Sequence, residues 1–230
     1  MLRQCSEETT NEANPMGVSS DSTASFEQER TVTITLSECV TIQAGYPFRG
    51  AIRDIPTGSV RAVQAKDISP LGELQTSDLI VTDLTGKRDA DWLQQGDILF
   101  SAKGSKHLAC YVHEDLEMTT CAPSLFLLRV KPEWKQKVNP QFLTWQLNQQ
   151  PAQTYFKRSA EGSFQISIRK PMLAATSIAL PELSKQNIIA KLYEASIKEN
   201  ALLHKLINNR QQQLNTIATD LIKNSEQFKG

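Results

Sequence analysis

From Glu182 to Lys229 the chain contains neither glycine nor proline. So long a run without a helix breaker predicts one continuous helix, and no other element could use it. Heptad counting beyond Ser184 places Ile189, Ser196, Leu203, Arg210 and Ile217 at one seam position, and Tyr193, Asn200, Ile207, Leu214 and Leu221 at the other. With Tyr193 included, seven of these ten are apolar. Roughly 40 helical residues at about 1.5 Å each give a rod of about 60 Å, too long to lie on the domain that precedes it. The seam therefore calls for a second helix, from another copy of the chain or from a partner protein. Asn200 and Arg210 within it would fix register at some cost in stability. The plainer alternative is a surface helix folded back on its own domain.

The remainder of the 230 residues is long enough to bury one core. Residues 1–30 are rich in Ser, Thr, Glu and Asn, show no apolar period, and carry six acidic side chains against two basic ones. That composition predicts a tail that cannot offset its own ordering entropy. Residues 31–181 read as the folded domain and 182–226 as the helix. Val32, Ile34 and Leu36 alternate with threonine, and Cys39 to Ile42 runs into the turn Gly45-Tyr46-Pro47-Phe48-Arg49-Gly50. Val60–Val63, Leu79–Val81, Ile98–Phe100, Leu108–Val112, Leu125–Val130 and Thr176–Leu180 are further short apolar runs, and turn residues such as Pro56-Thr57-Gly58 and Gln95-Gly96-Asp97 punctuate them. Pro140–Leu147 and Pro151–Ala160 read as two short helices, each with proline at its start. The expected class is α+β: a mixed, largely antiparallel sheet domain followed by a long C-terminal coiled-coil helix.

No apolar run approaches the roughly 18 residues that span a bilayer, and the first thirty residues lack the basic head and apolar stretch of a secretory signal. A cytoplasmic location is expected. Cys5, Cys39, Cys110 and Cys121 show no close-pair spacing and read as reduced thiols. Formal net charge is zero, but residues 31–230 hold 23 basic against 19 acidic side chains.

Several catalytic patterns fail on inspection. Asn139-Pro140-Gln141-Phe142 lacks the second proline of the amino-methyltransferase motif, and no glycine-rich cofactor loop precedes it. Glu133-Trp134-Lys135 has no Pro-Asp pair upstream, and Ser167-Ile168-Arg169-Lys170 has none of the companions of a Ser-x-x-Lys enzyme. Cys110, His113 and Cys121 offer three donors where structural zinc takes four. No active site, metal or cofactor is expected on this chain.

Four stretches, in this order and spacing, carry a resemblance. They are Gly45–Gly50, Leu93-Gln94-Gln95-Gly96-Asp97-Ile98-Leu99-Phe100, Ala160-Glu161-Gly162-Ser163, and Ile178-Ala179-Leu180-Pro181-Glu182-Leu183-Ser184-Lys185-Gln186-Asn187-Ile188-Ile189-Ala190 leading into the helix. Together they resemble the specificity subunits of Type I restriction-modification systems, over about residues 32–225. Lys185 stands where family members usually carry an acidic residue. The full family pattern has two target recognition domains and two helices, whereas one of each is present here. The resemblance thus implies a half-length form that pairs with a copy of itself or with another half. Two identical halves related by a twofold would read a palindrome split by a spacer.

The resemblance also implies partners: double-stranded DNA, and a DNA adenine methyltransferase subunit that holds S-adenosylmethionine. The chain itself would be non-catalytic. Base reading would then come from polar loops. Lys103, Ser105, Lys106 and His107 form a basic turn suited to phosphate contact. Ser163, Gln165, Arg169 and Lys170 lie in a segment whose Gln and Arg suit two-bond contacts to adenine and guanine. Arg49 and Arg158 are further candidates, and Ile189, Tyr193, Asn200, Leu203, Ile207, Leu214, Ile217 and Leu221 would meet the partner helix. The competing expectation is a coiled-coil adaptor that binds protein and not DNA.

Overall fold

The computed structural model describes residues 31–86, 88–103, 107–159 and 167–227, with side chains described as far as residue 223. The tail expected at residues 1–30 lies outside them.

The strands are β1 (Val32–Thr35), β2 (Val40–Ala44), β3 (Val60–Val63), β4 (Ile80–Thr82), β5 (Ile98–Ser101), β6 (Ala109–Tyr111), β7 (Thr119–Cys121), β8 (Leu125–Val130) and β9 (Ser177–Leu180). The helices are α1 (Leu36–Cys39), α2 (Pro140–Asn148), α3 (Gln150–Ser159), α4 (Lys170–Ala174) and α5 (Leu183–Gln227). The α+β class and the long C-terminal helix expected from the sequence are both present.

A four-stranded antiparallel sheet in the order β2-β8-β5-β6 lies at the centre. Because strand side chains alternate between faces, β5 and β8 feed two cores at once. Ile98, Phe100, Leu128 and Val130 join Phe142, Leu143, Leu147 and Phe156 of α2 and α3 on one face. Leu99, Leu125 and Leu127 meet Val63, Cys110, Val112 and Cys121 on the other. The three-stranded sheet β4-β3-β7, in which β3 and β7 run parallel, contributes to that second layer. β5 is buried throughout, as a strand covered on both faces must be.

Three local readings differ from expectation. The Val32-Ile34-Leu36 alternation stops at Thr35, where a capping box begins α1: Glu38 Oε1 accepts from the Thr35 N–H at 2.8 Å and its hydroxyl at 2.9 Å. β7 is an additional strand, entered through Met118 with φ 46°. α4 occupies Lys170–Ala174 with Pro171 in its first turn. The Asn139-Pro140-Gln141-Phe142 pattern is a helix start: Asn139 Oδ1 accepts from Gln141 N at 2.8 Å and Phe142 N at 3.1 Å.

β1 and β9 pair antiparallel as a separate two-stranded ribbon, which returns the chain to its starting side before α5 begins. Gln186 roots α5. Its side chain, fully buried, accepts from Asn139 N at 3.0 Å and donates to the carbonyls of Lys137 (2.9 Å) and Pro181 (2.8 Å). Ala190 is buried, Ile189 packs at the core edge, and the Tyr193 hydroxyl accepts from Asn148 Nδ2 at 2.9 Å. Ile189 and Tyr193, both partly buried, thus pack on their own domain, unlike the exposed seam residues beyond them. The seam begins farther along, where every residue from 202 to 223 is exposed. No described helix is long and apolar enough to cross a membrane.

Candidate nucleic-acid interface

The basic residues singled out in the sequence belong to segments that leave one end of the central sheet. β2 and β5 both run antiparallel to β8, so both finish where β8 begins. Gly45 N donates to Leu125 O at 3.0 Å, and Ser101 is the register partner of Leu125. Gly45 has no substitute here, because a Cβ would fall 2.1 Å from the Ala122 carbonyl oxygen. Past these ends the chain delivers Arg49 on one side of β8 and Lys103 on the other. Arg49 is exposed, with its backbone N–H held by Thr85 Oγ1 at 2.9 Å.

Lys103 forms an antiparallel bridge with Ser167, and Ile168 N donates to Ala102 O at 2.8 Å. Two candidate segments more than sixty residues apart in sequence are therefore one backbone feature. The buried Ile168 anchors the second segment, and the exposed Arg169 and Lys170 follow at the start of α4. α3 joins the same cluster: the Tyr155 hydroxyl donates to Met172 O in α4 at 3.0 Å. Arg158, exposed and one helical turn beyond Tyr155, shares that face of α3. Lys103, Ser167, Arg169 and Lys170 thus gather on one edge, with Arg158 on the face of α3 that carries Tyr155. Ser105, Lys106, Ser163 and Gln165 lie outside the described residues.

His107 does not join them. It is 4% exposed, its ring stacks on Phe100 with centroids 6.3 Å apart, and Nδ1 lies 3.1 Å from the Ser101 carbonyl oxygen. The expectation that its side chain contacts phosphate is corrected: the ring is buried against Phe100.

Sequence reasoning missed the side chains that hold this edge. β6 is the outer strand of its sheet, and an edge strand leaves backbone groups unpaired. Asn148 at the end of α2 takes the place of a neighbouring strand, accepting from Ala109 N at 2.8 Å and donating to Ala109 O at 2.8 Å. Gln153 of α3 donates to His107 O at 2.8 Å. At the other end of β5, the Asp97 carboxylate is 1% exposed and accepts from Arg129 Nε and Nη2, both at 2.7 Å, and from Gln94 N at 2.8 Å. Asp97 is followed directly by the buried Ile98-Leu99-Phe100 run, and a buried acid requires a paired cation. Arg129, the only basic residue within β8, was therefore findable.

No group of three or more His, Cys, Asp or Glu side chains placed to hold a metal occurs among the described residues. Burial pushes the Cys110 and Cys121 thiols up to about 12 and that of Cys39 to about 11.

The described residues put an exposed basic edge at the end of the central sheet where β8 begins, and a projecting helix rooted beyond the end where β8 finishes. The model of the Type I restriction modification DNA specificity domain matches residues 28–211. The chain belongs to that family. Its fold is similar to that of the HsdS subunit from Thermoanaerobacter tengcongensis, at 17% identity and a TM-score of 0.55, over 80% of this chain and 46% of that one. It is also similar to a chain from a structure of type I R-M complex assembly and conformational transition, at 17% identity and a TM-score of 0.54, over 81% and 43%. The chain spans less than half the length of both. No curated protein matches it.

Proposed function

We propose that the chain reads duplex DNA through the Lys103–Ser167 edge and positions an adenine methyltransferase subunit over a bipartite target, without catalysing a reaction itself. The observation that carries this reading is the backbone bridge joining the two basic segments. Phosphate contacts from Lys103, Lys170 and Arg158 would set the domain on the duplex, while Arg169 would reach a base edge. The methyltransferase would supply S-adenosylmethionine and turn the target base out of the stack. The exposed face of α5 would hold a second helix, giving two recognition domains at a fixed separation.

Selection from a random duplex pool, with and without the methyltransferase subunit, tests this. An enriched two-part motif in the presence of the partner is expected. Arg169→Ala should lower preference for that motif by about 1–3 kcal/mol at one base position. Lys103→Ala should instead weaken all duplexes alike and reduce the slope of log affinity against log salt by about one unit. Equal losses on selected and scrambled DNA for Arg169→Ala would remove it from base reading.

A further inference from the structure

His107 lies between β5 and β6 in sequence, and its side chain is buried. A carbonyl oxygen only accepts, so in the neutral ring Nδ1 carries the hydrogen toward Ser101 O and Nε2 is left as an acceptor. Nε2 is itself buried and has no hydrogen-bond partner among the described residues. A side chain kept only to fill this space would be better apolar, because an unpaired buried acceptor is destabilising. What the imidazole offers and leucine cannot is the Nδ1 bond.

That bond acts on the strand end from which the candidate interface hangs. Ser101 immediately precedes Ala102 and Lys103, whose backbone receives Ile168 and pairs with Ser167. The Ser101 hydroxyl also donates to Lys103 O at 3.2 Å. On the inner side, the His107 ring lies within 14° of parallel to Phe100, which meets Phe156 of α3 edge-on at 5.0 Å. The His107 carbonyl accepts from Gln153 of the same helix. His107 is thus tied to α3 through its carbonyl and to β5 through its ring, whose one directed bond is set on the last residue of β5.

We infer that His107 is a positioning residue for target recognition, fixing through Ser101 the height and angle at which the Lys103–Ser167 bridge presents Arg169 and Lys170. The inference rests on the recognition reading above. It touches no DNA in this role; its effect is on geometry.

The test compares three variants of the full chain in complex with the methyltransferase subunit, measuring affinity for the selected duplex and for a scrambled one. In His107→Asn the Nδ2 hydrogens sit near the position of Nδ1–H, so the bond to Ser101 survives. His107→Gln places its amide where Nε2 was, and His107→Leu offers no donor. His107→Gln and His107→Leu should lower the selected-to-scrambled ratio by about tenfold, the worth of one misaligned base contact. His107→Asn should keep it within about twofold, and all three should keep the wild-type salt slope, since no phosphate contact is lost. Circular dichroism identifies a variant that fails to fold; if His107→Leu does, the comparison of Asn with Gln decides. Wild-type discrimination in His107→Gln, or equal loss in His107→Asn, overturns the inference. A salt slope reduced by one unit also overturns it, because the ring would then be contacting phosphate. A wild-type complex without sequence preference would instead sink the recognition reading, a result distinguishable from these.

Discussion

At the residue scale, the firmest constraint on the domain is the Asp97–Arg129 pair. Arg129 also donates to Trp92 O at 2.9 Å, so one guanidinium ties the turn before β5 to the far end of β8. Arg129→Ala would strand a carboxylate that is 1% exposed, at a cost of about 3 kcal/mol. The expected result is a large fall in the urea midpoint. The double variant Asp97→Asn, Arg129→Met should be milder than the single one, because no buried charge is left alone.

The thiols give a second residue-scale prediction. An unfolded thiol ionises near 9.0, whereas Cys110 and Cys121 stay protonated to about 12 in the fold. The folded state binds those protons more tightly, so its stability holds below the unfolded value and falls as pH rises above it. Iodoacetamide at pH 8 should leave Cys39, Cys110 and Cys121 unlabelled until denaturant is added. Rapid labelling of any of them in the native protein would contradict their burial.

At the scale of elements, α5 divides into a root and a free rod. Gln186→Leu would leave Asn139 N and the carbonyls of Lys137 and Pro181 without their partner, costing about 2 kcal/mol and loosening the root. The rod exposes Leu203 at 49%, Ile207 at 62%, Leu214 at 60%, Ile217 at 56% and Leu221 at 66%. Paired antiparallel with a copy of itself, the register that covers most of this seam would set Leu203 against Leu221, Ile207 against Ile217, and Arg210 against Leu214. Ile207→Asn should therefore reduce dimer mass in sedimentation, and leave the thermal unfolding of the sheet domain nearly unchanged.

These elements also show what the sequence could reveal. The helix was legible because the absence of Gly and Pro over residues 182–229 is a local property, and the strands at Val60, Ile98 and Leu125 were legible because they are apolar on both faces. β7 was not, because Thr119-Thr120-Cys121 has little apolar signal and its turn uses Met118 where glycine would be expected. The candidate basic residues were visible as a list, but their convergence was not. The Lys103–Ser167 bridge is a long-range pairing that no periodicity encodes. His107 misled for the same reason: a histidine among lysines and glycine reads as surface until its packing on Phe100 is known. The heptad count likewise could not tell that Ile189 and Tyr193 are claimed by α2 and the core.

At the scale of the whole molecule, the sheet domain and the exposed part of α5 are separate parts of the fold. On the proposed reading, the sheet end would make the DNA contacts and the exposed part of α5 would set their distance from a second domain. Deleting seven residues starting at Asn200 preserves the heptad seam and shortens each rod by about 10 Å. A map of methylated sites should then show a changed spacer between unchanged half-sites. An unaltered spacer would dismiss the rod as a ruler.

The Lys103–Ser167 bridge has one further consequence. It ties two segments whose Lys103 and Ser167 belong to neither hydrophobic cluster, and doubling the length of a connecting segment adds only about 0.6 kcal/mol of closure entropy. On the proposed reading, exchanging residues 104–106 or 160–166 for other sequences should change target preference while the thermal unfolding of the domain stays nearly unchanged.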